Sequence, residues 1–345
     1  MHYRQLTHHL DGFKEWGPCI PFVEEQGMAP LFYFHLRAAG IDIPEGPRRQ
    51  LQALTLRHRL ANQARTRTLI NIITACGAAG VRVILLKGAA LFHLIYPEPG
   101  LRPMRDLDLL INPASAPIVQ NILSSLGFQF STENQHHPTR HLPVATAIQD
   151  GFTVNLELHR SLFEDLETLN VSVTEGLIKR ARLFSINNTA THSLSLEDML
   201  FHLHRHMVIE QGRIISMADL ISLSEQFVEE IDWQLIFKKY PALIGSLSVF
   251  HSLNPLSEAL VRKLSIRSGR VPRDVGVDFC GWPRLYFRQW RNVGLFKFIK
   301  NTVFPSEWWL RLYDGIGPGR SIFLYRWIRY PLHVLRLIIT RFVSR

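Results

Sequence analysis

The sequence predicts an α+β protein, with a small α/β core set between a helical N-terminal region and a helical C-terminal domain. Three observations lead there. Ahead of residue 80 the apolar residues keep helical spacing. Short β-branched runs are confined to about residues 81–190. Beyond about 190 the helical period returns. The divisions read from these changes are a helical region over 1–80, an α/β core over 81–190, a helical domain over 191–283 and a basic amphipathic segment over 284–345.

Each element has its own signal. "PLFYFHLRAAG" is helical and stops at a glycine, and "PEGPRRQLQALTLRHRLANQARTRTLINIITACGAAG" keeps apolar residues at helical spacing from Leu51 to Ile73 before a glycine C-cap between Gly77 and Gly80. "VRVILL" is short, β-branched and bounded by glycines, a buried strand. "KGAALFHLIY" makes a turn and short helix, "PEPGLRP" a loop, and "DLDLLI" a second strand ending at Asn112-Pro113. "ASAPIVQNILSSLG" is a helix closed by Gly127, "FQFS" starts a strand, and "FTVNLELHRSLF" contains another. "SLEDMLFHLHRHMVIEQGRIISMADLISLSEQFV" reads as helices, with Ser195 as N-cap and Asp198 three residues on as an acidic variant of the capping box. No internal repeat or low-complexity tract occurs.

Of the 345 residues 46% are hydrophobic and 20% charged, a globular composition that excludes a disordered chain. The three cysteines, Cys19, Cys76 and Cys280, lack metal-like spacing and fit a reducing compartment rather than a disulfide framework. The N-terminus has no apolar h-region and no run nears the roughly 18 apolar residues that span a bilayer. The expected location is cytoplasmic, with a peripheral place at the inner membrane surface open through the C-terminal segment. That segment holds the whole net charge of +10: from Arg284 onward lie twelve basic and two acidic residues, and the rest of the chain is balanced. A nucleic-acid role for the body is weakened accordingly.

Two aspartates one residue apart, Asp106 and Asp108, interrupt an apolar strand. Side chains alternate along a strand, so both point to one face while Leu107, Leu109 and Ile111 point to the other. Asn155, Glu157 and His159 likewise share a face. If the two strands are neighbours, three carboxylates gather into a hard-oxygen site suited to Mg2+ or Mn2+. The plainer reading is an acidic pair at a strand end and a charged edge strand, both common in sheets.

The string "LLKGAALFHLIYPEPGLRPMRDLDLLI" resembles the signature of a family of largely uncharacterised nucleotidyltransferases within the DNA polymerase beta-like superfamily. The pattern is leucine-lysine-glycine, a small-residue helix, tyrosine-proline, then arginine-proline-x-x-aspartate-x-aspartate. "VNLELHRSLF" is similar to the family's later strand, "SLEDMLFHLHRH" and "ISMADLISL" to its helical second half, and "VFPSEWWLRLYDG" to its tail. The resemblance implies a small mixed-sheet nucleotidyltransferase core in which Asp106 and Asp108 bind metal with Glu157 as third carboxylate. It implies transfer of an NMP group from an NTP such as ATP to an unidentified acceptor (protein, RNA, sugar or small molecule), with release of pyrophosphate. The alternative is a catalytically silent nucleotide-binding or membrane-surface module on the same fold. One departure stands out: the superfamily usually has a Gly-Ser pair at the turn before the first core helix, and here Lys87-Gly88 takes that place. Gly88 would admit close backbone approach to phosphates and Lys87 would supply charge. Arg102 is either a phosphate contact or a surface partner of Glu98, and His159 a ligand-orienting or proton-shuttling group.

The remaining signals are histidines and the tail. His202 and His206 are spaced i, i+4, as zinc sites use, but packed or surface histidines are the commoner meaning. His136, His137 and His141 lie in a proline-flanked loop able to line the same cleft, and Asp219 matches a family position in the helical domain. In "RSIFLYRWIRYPLHVLRLIITRFVSR", Arg326, Arg329, His333 and Arg336 fall on one helical stripe, with Pro331 interrupting the helix or opening a new one. Three readings compete: a cap on the protein's own core, a helix on an anionic membrane surface, or a holder of RNA or an acidic partner.

Overall fold

The computed structural model describes residues 3–98, 100–131, 141–162, 171–208, 213–267, 269 and 294–343, so Cys280, His136 and His137 lie outside the described residues. The chain divides into two compact units, Met1–Met199 and Leu200–Arg345.

The first unit opens with α1 (Tyr3–Leu10), α2 (Trp16–Glu25), α3 (Ala29–Ala38) and the 34-residue α4 (Glu45–Ala78). Trp16, Ile20, Tyr33, Leu36 and Leu51 form the core of this helical region. Gly80 at φ +70° closes α4, and Val81 donates its N–H to the Cys76 carbonyl (2.8 Å), satisfying a helix-end acceptor. The expected C-cap is therefore present. There follow β1 (Val83–Leu85), α5 (Lys87–Leu94), β2 (Asp106–Ile111), α6 (Ala116–Ser125), β3 (Gln129–Phe130), β4 (Ala145–Gln149), β5 (Phe152–His159), α7 (Val171–Lys179), β6 (Arg182–Ile186) and β7 (Thr189–Ser193).

Among the described residues seven strands make one sheet in the order β3-β4-β5-β2-β1-β7-β6. Strand β2 runs parallel to β5 and β1 parallel to β7, while the other neighbours are antiparallel, so the sheet is mixed. Helix α4 packs on β4, β5 and β7, with Ala61, Ala64, Leu69 and Ile72 buried. Two hairpins use tight turns of left-handed residues: Asp150-Gly151 (φ +50° and +77°) between β4 and β5, and Asn187-Asn188 (φ +46° and +66°) between β6 and β7. Positive φ at both centres matches the twist of the flanking strands.

The boundary helix α8 (Leu196–His206) begins at Ser195, whose Oγ accepts the Asp198 N–H at 3.2 Å. Beyond it the second unit contains α9 (Ile214–Gln226), α10 (Trp233–Lys239), α11 (Pro241–Leu253), α12 (Glu258–Leu264), α13 (Leu295–Val303), α14 (Glu307–Asp314) and α15 (Tyr330–Val343). Helix α11 packs on α14 closely enough that a Cβ on Gly245 would fall 1.9 Å from the Gly315 carbonyl oxygen. A π-helical turn, Tyr325–Arg329, runs without a break into α15, so Pro331 follows directly on that turn inside a continuous helical stretch over 323–343. Tyr330 and Val334 of α15 are buried, with Tyr330 edge-on to Trp309 and His333 bonded to Tyr313 (3.0 Å). The opposite side leaves Phe323, Leu324, Trp327, Leu332, Leu335 and Ile339 exposed.

Candidate active site

The acidic face is built by the β2–β5 pairing. Their parallel register sets Asp106 beside Asn155, Asp108 beside Glu157 and Leu110 beside His159. Residues level across a ladder point to the same side, so the aspartates, Glu157 and His159 share one face. Leu107, Leu109, Leu156 and Leu158 are buried on the other, which fixes the register against a one-residue slip.

On this face Asp108 is the hub. It is buried, accepts from Lys87 Nζ at 3.2 Å and bonds His159 Nε2 at 2.8 Å. Asp106 stands nearer solvent. Burial and the neighbouring charge of Asp108 push its carboxyl up, although Lys87 and Arg102 pull it down. The three carboxylates thus share one face with Lys87 and Arg102, and this oxygen set fits a divalent cation.

The first turn of α5 explains the two cations. Lys87 takes φ +39°, a conformation costing a non-glycine residue roughly 1–2 kcal/mol. Its ammonium reaches Asp108 from there. Gly88 leaves room for Arg102: a Cβ there would lie 2.4 Å from Arg102 Nη1. The guanidinium therefore covers the start of α5, whose N-terminus has no side-chain cap. Glu98, the alternative partner considered for Arg102, is 3.8 Å from Arg59.

His159, Glu157 and His141 form a second grouping. His141 makes a bridge to His159, Leu142 donates to the Leu158 carbonyl (2.9 Å), and the two imidazoles lie 4.3 Å apart between centroids. Glu157 Oε2 is 3.9 Å from both His141 Nδ1 and His159 Nε2.

Sequence reasoning passed over Asn62. It is fully buried on α4, donates to the Arg102 carbonyl (2.9 Å) and accepts the Met104 N–H (3.2 Å), so it fixes the loop that carries Arg102. An amide among Ala61, Ala64 and Leu69 was the available signal, since a buried amide needs partners. Arg65, a turn further along, adds charge that acts on Asp106. Other singled-out residues lie elsewhere. His202 and His206 have ring centroids 6.4 Å apart, and no third ligand joins them among the described residues. Asp219 is buried on α9. His204 is buried and bonds Ser246 Oγ at 2.8 Å.

Comparison with known proteins gives the following. A family described as uncharacterised nucleotidyltransferase matches residues 14–253. Among solved structures, the chain is similar to an antigenic nucleotidyltransferase-like protein from Paracoccidioides brasiliensis at 16% identity, over 60% of this chain and 95% of that one, with a TM-score of 0.38. It is also similar to the antibiotic-resistance factor ANT(2'')-Ia at 10% identity, over 56% of this chain and 100% of the other, with a TM-score of 0.35. No curated protein matches the chain.

Proposed function

We propose, from the premise that this chain belongs to the uncharacterised nucleotidyltransferase family, that it transfers an NMP group from an NTP to an acceptor hydroxyl or phosphate. The observation carrying this is the register that levels Asp108 with Glu157 and leaves Asp106 on the same face, beside two cations at the start of a helix. Asp106, Asp108 and Glu157 would hold Mg2+ or Mn2+, which when bound supplies charge neutralisation to the phosphates and activates the acceptor oxygen. Lys87 and Arg102 neutralise phosphate charge at the uncapped N-terminus of α5, and His159 orients Asp108 through its 2.8 Å bond. The acceptor oxygen forms a bond to the α-phosphorus, the bond from that phosphorus to the β-phosphate bridging oxygen breaks, pyrophosphate leaves, and the acceptor proton passes to solvent.

The test is to incubate the protein with each labelled NTP, starting with ATP, with Mg2+ or Mn2+ and cell extract as the source of protein, RNA, sugar and small-molecule acceptors. Label should move with wild type and fall to background with Asp106→Ala plus Asp108→Ala. Absence of label in every combination would sink transfer; equal label in the double variant would sink the site. A second reading, a nucleotide-binding module without transfer, draws support from the Lys87 ammonium already seated on Asp108. Saturable NTP binding without any labelled product would favour it.

For the C-terminal segment we propose a cytoplasmic protein that rests on an anionic membrane surface. Trp327, Phe323 and Leu335 are exposed on a helical stretch that also exposes Arg329 and Arg336, and the other side is anchored to Trp309 and Tyr313. That combination of exposed aromatic and aliphatic groups with arginines suits a headgroup boundary. No helix among the described residues is long and apolar enough to cross a membrane. Flotation with anionic vesicles, reversed by Trp327→Glu, is the expected result. Flotation with neutral vesicles alone would remove the anionic part, and preferential binding of RNA or an acidic protein in a salt series would replace the membrane as partner.

A further inference from the structure

We propose that the acidic face carries a nitrogen-bearing metal position, formed by His141, Glu157 and His159 beside Asp108, that takes a late first-row transition-metal ion such as Co2+, Cu2+ or Zn2+ in preference to Mg2+. This deepens the metal reading above and rests on it, but does not depend on nucleotidyl transfer.

One ligand atom from each of His141, Glu157 and His159 lies within 4.8 Å of the others. Glu157 Oε2 is 3.9 Å from each imidazole nitrogen, and Asp108 Oδ1 is 2.8 Å from His159 Nε2. Donors bound at about 2.1 Å to one ion sit roughly 3–4 Å apart. The observed spacings bracket that range, and small side-chain rotations close the wider ones. The backbone makes the grouping: Glu157 and His159 are two residues apart on β5, and the bridge from His141 to His159 fixes the second imidazole opposite the first.

The two ends of the face differ in chemistry. Asp106 is level with Asn155, at the oxygen-only end, while His159 and His141 stand at the other, beyond Asp108 and Glu157. Mg2+ and Mn2+ favour oxygen ligands and water, whereas imidazole suits Zn2+, Cu2+ and neighbouring late first-row ions such as Co2+. His159 is buried, but the His141 side chain is 25% exposed and that of Glu157 34%, so an ion reaches the position from solvent.

The experiment uses the full chain, stripped with a chelator and titrated with Co2+ alone. The expected result is a visible spectrum of nitrogen-coordinated Co2+ at one equivalent, unmoved by a tenfold excess of Mg2+, with at least about tenfold weaker binding in His141→Ala. The variant matters because the chain has sixteen histidines. Pulsed EPR of Cu2+-loaded wild type, reading two imidazole nitrogen couplings, needs no variant and stands if His141→Ala misfolds. An oxygen-only spectrum without nitrogen coupling, or displacement by equimolar Mg2+, overturns the proposal and leaves the histidines as groups that only orient carboxylates. Label transfer run in parallel separates the two readings. Transfer with Mg2+ in protein lacking nitrogen coupling removes this inference and keeps the proposed function, whereas nitrogen-coupled metal without transfer does the reverse.

Discussion

Asp108 in the sheet and His204 in the helical unit are both buried polar side chains, and they show what burial alone does not say. His204 Nε2 bonds Ser246 Oγ, and Ser246 passes its hydrogen to the Leu312 carbonyl at 3.2 Å, so the chain ends on a backbone acceptor without any charge. Burial pushes the imidazole down to about 4 and keeps it neutral. Asp108 instead gathers charge: an ammonium, an imidazole and two further carboxylates stand on one face, and Asp106 remains pushed up in spite of two cations. A satisfied neutral network specifies packing, whereas ionisable groups gathered on one face mark a candidate ligand site.

The largest expected effect tests that contrast directly. Asp108→Asn keeps shape and removes charge; label transfer should fall by roughly 10^2–10^3-fold. His204→Asn should leave transfer per folded molecule within about twofold while lowering the unfolding midpoint, because the neutral chain to Leu312 is broken at about 1–3 kcal/mol. If transfer falls equally in both variants, the contrast is lost.

The next effect is a pH dependence. His204 binds a proton near pH 6.5 when unfolded but only near 4 when folded. Between those values the unfolded chain holds more protons, so stability rises with pH, is complete above about 6.5 and is lost as pH falls towards 4. The loss is of the order of 3 kcal/mol from this histidine. His93, also pushed down to about 4 by burial, adds to the slope. Urea unfolding at pH 7 and pH 4.5 should show a flatter dependence in His204→Gln than in wild type, and identical slopes would remove His204 as a source.

Much of this architecture was legible in the sequence, because it rests on local periodicity. The "DLDLLI" and "VNLELH" runs show which residues share a face. Only the sheet shows that the two strands are neighbours, since pairing partners distant in sequence leave no local trace. The β4–β5 hairpin had a usable signal in Asp150-Gly151 and the β6–β7 hairpin in Asn187-Asn188. In the tail the expected stripe of Arg326, Arg329, His333 and Arg336 is split, with His333 turned to Tyr313 while Arg329 and Arg336 are exposed. Asn62 was hidden because its partners, the backbone groups of Arg102 and Met104, are some forty residues away.

Asn62 sharpens the comparison further, since it is a neutral, satisfied group like His204 that nonetheless serves the charged face. Asn62→Ala leaves the Met104 N–H unmatched in a buried place and frees the Arg102 loop. The expected cost is about 1–3 kcal/mol of stability. Transfer should drop about tenfold, mainly as a raised KM for NTP, because Arg102 loses its fixed approach to Gly88. Loss of stability with an unchanged KM would confine Asn62 to packing.

The smallest effect comes from a carboxylate in the same unit as the acidic face but built like the His204 network. Asp198 is buried in the first turn of α8, where the helix dipole favours negative charge. The sequence suggests that it reaches back to cap the helix, yet its carboxylate accepts Arg180 Nε and Nη2 at 3.1 and 2.9 Å while Ser195 alone makes the observed side-chain cap. One fork-shaped cation meets one carboxylate, so no excess charge is left for a ligand. Arg180 is half exposed, and solvent screens the pair. Asp198→Asn should therefore cost no more than about 1 kcal/mol, lower the unfolding midpoint slightly and leave transfer unchanged. Should this variant lose transfer as Asp108→Asn does, matched and gathered charge would have proved equivalent, and the acidic face would lose its claim to be the site.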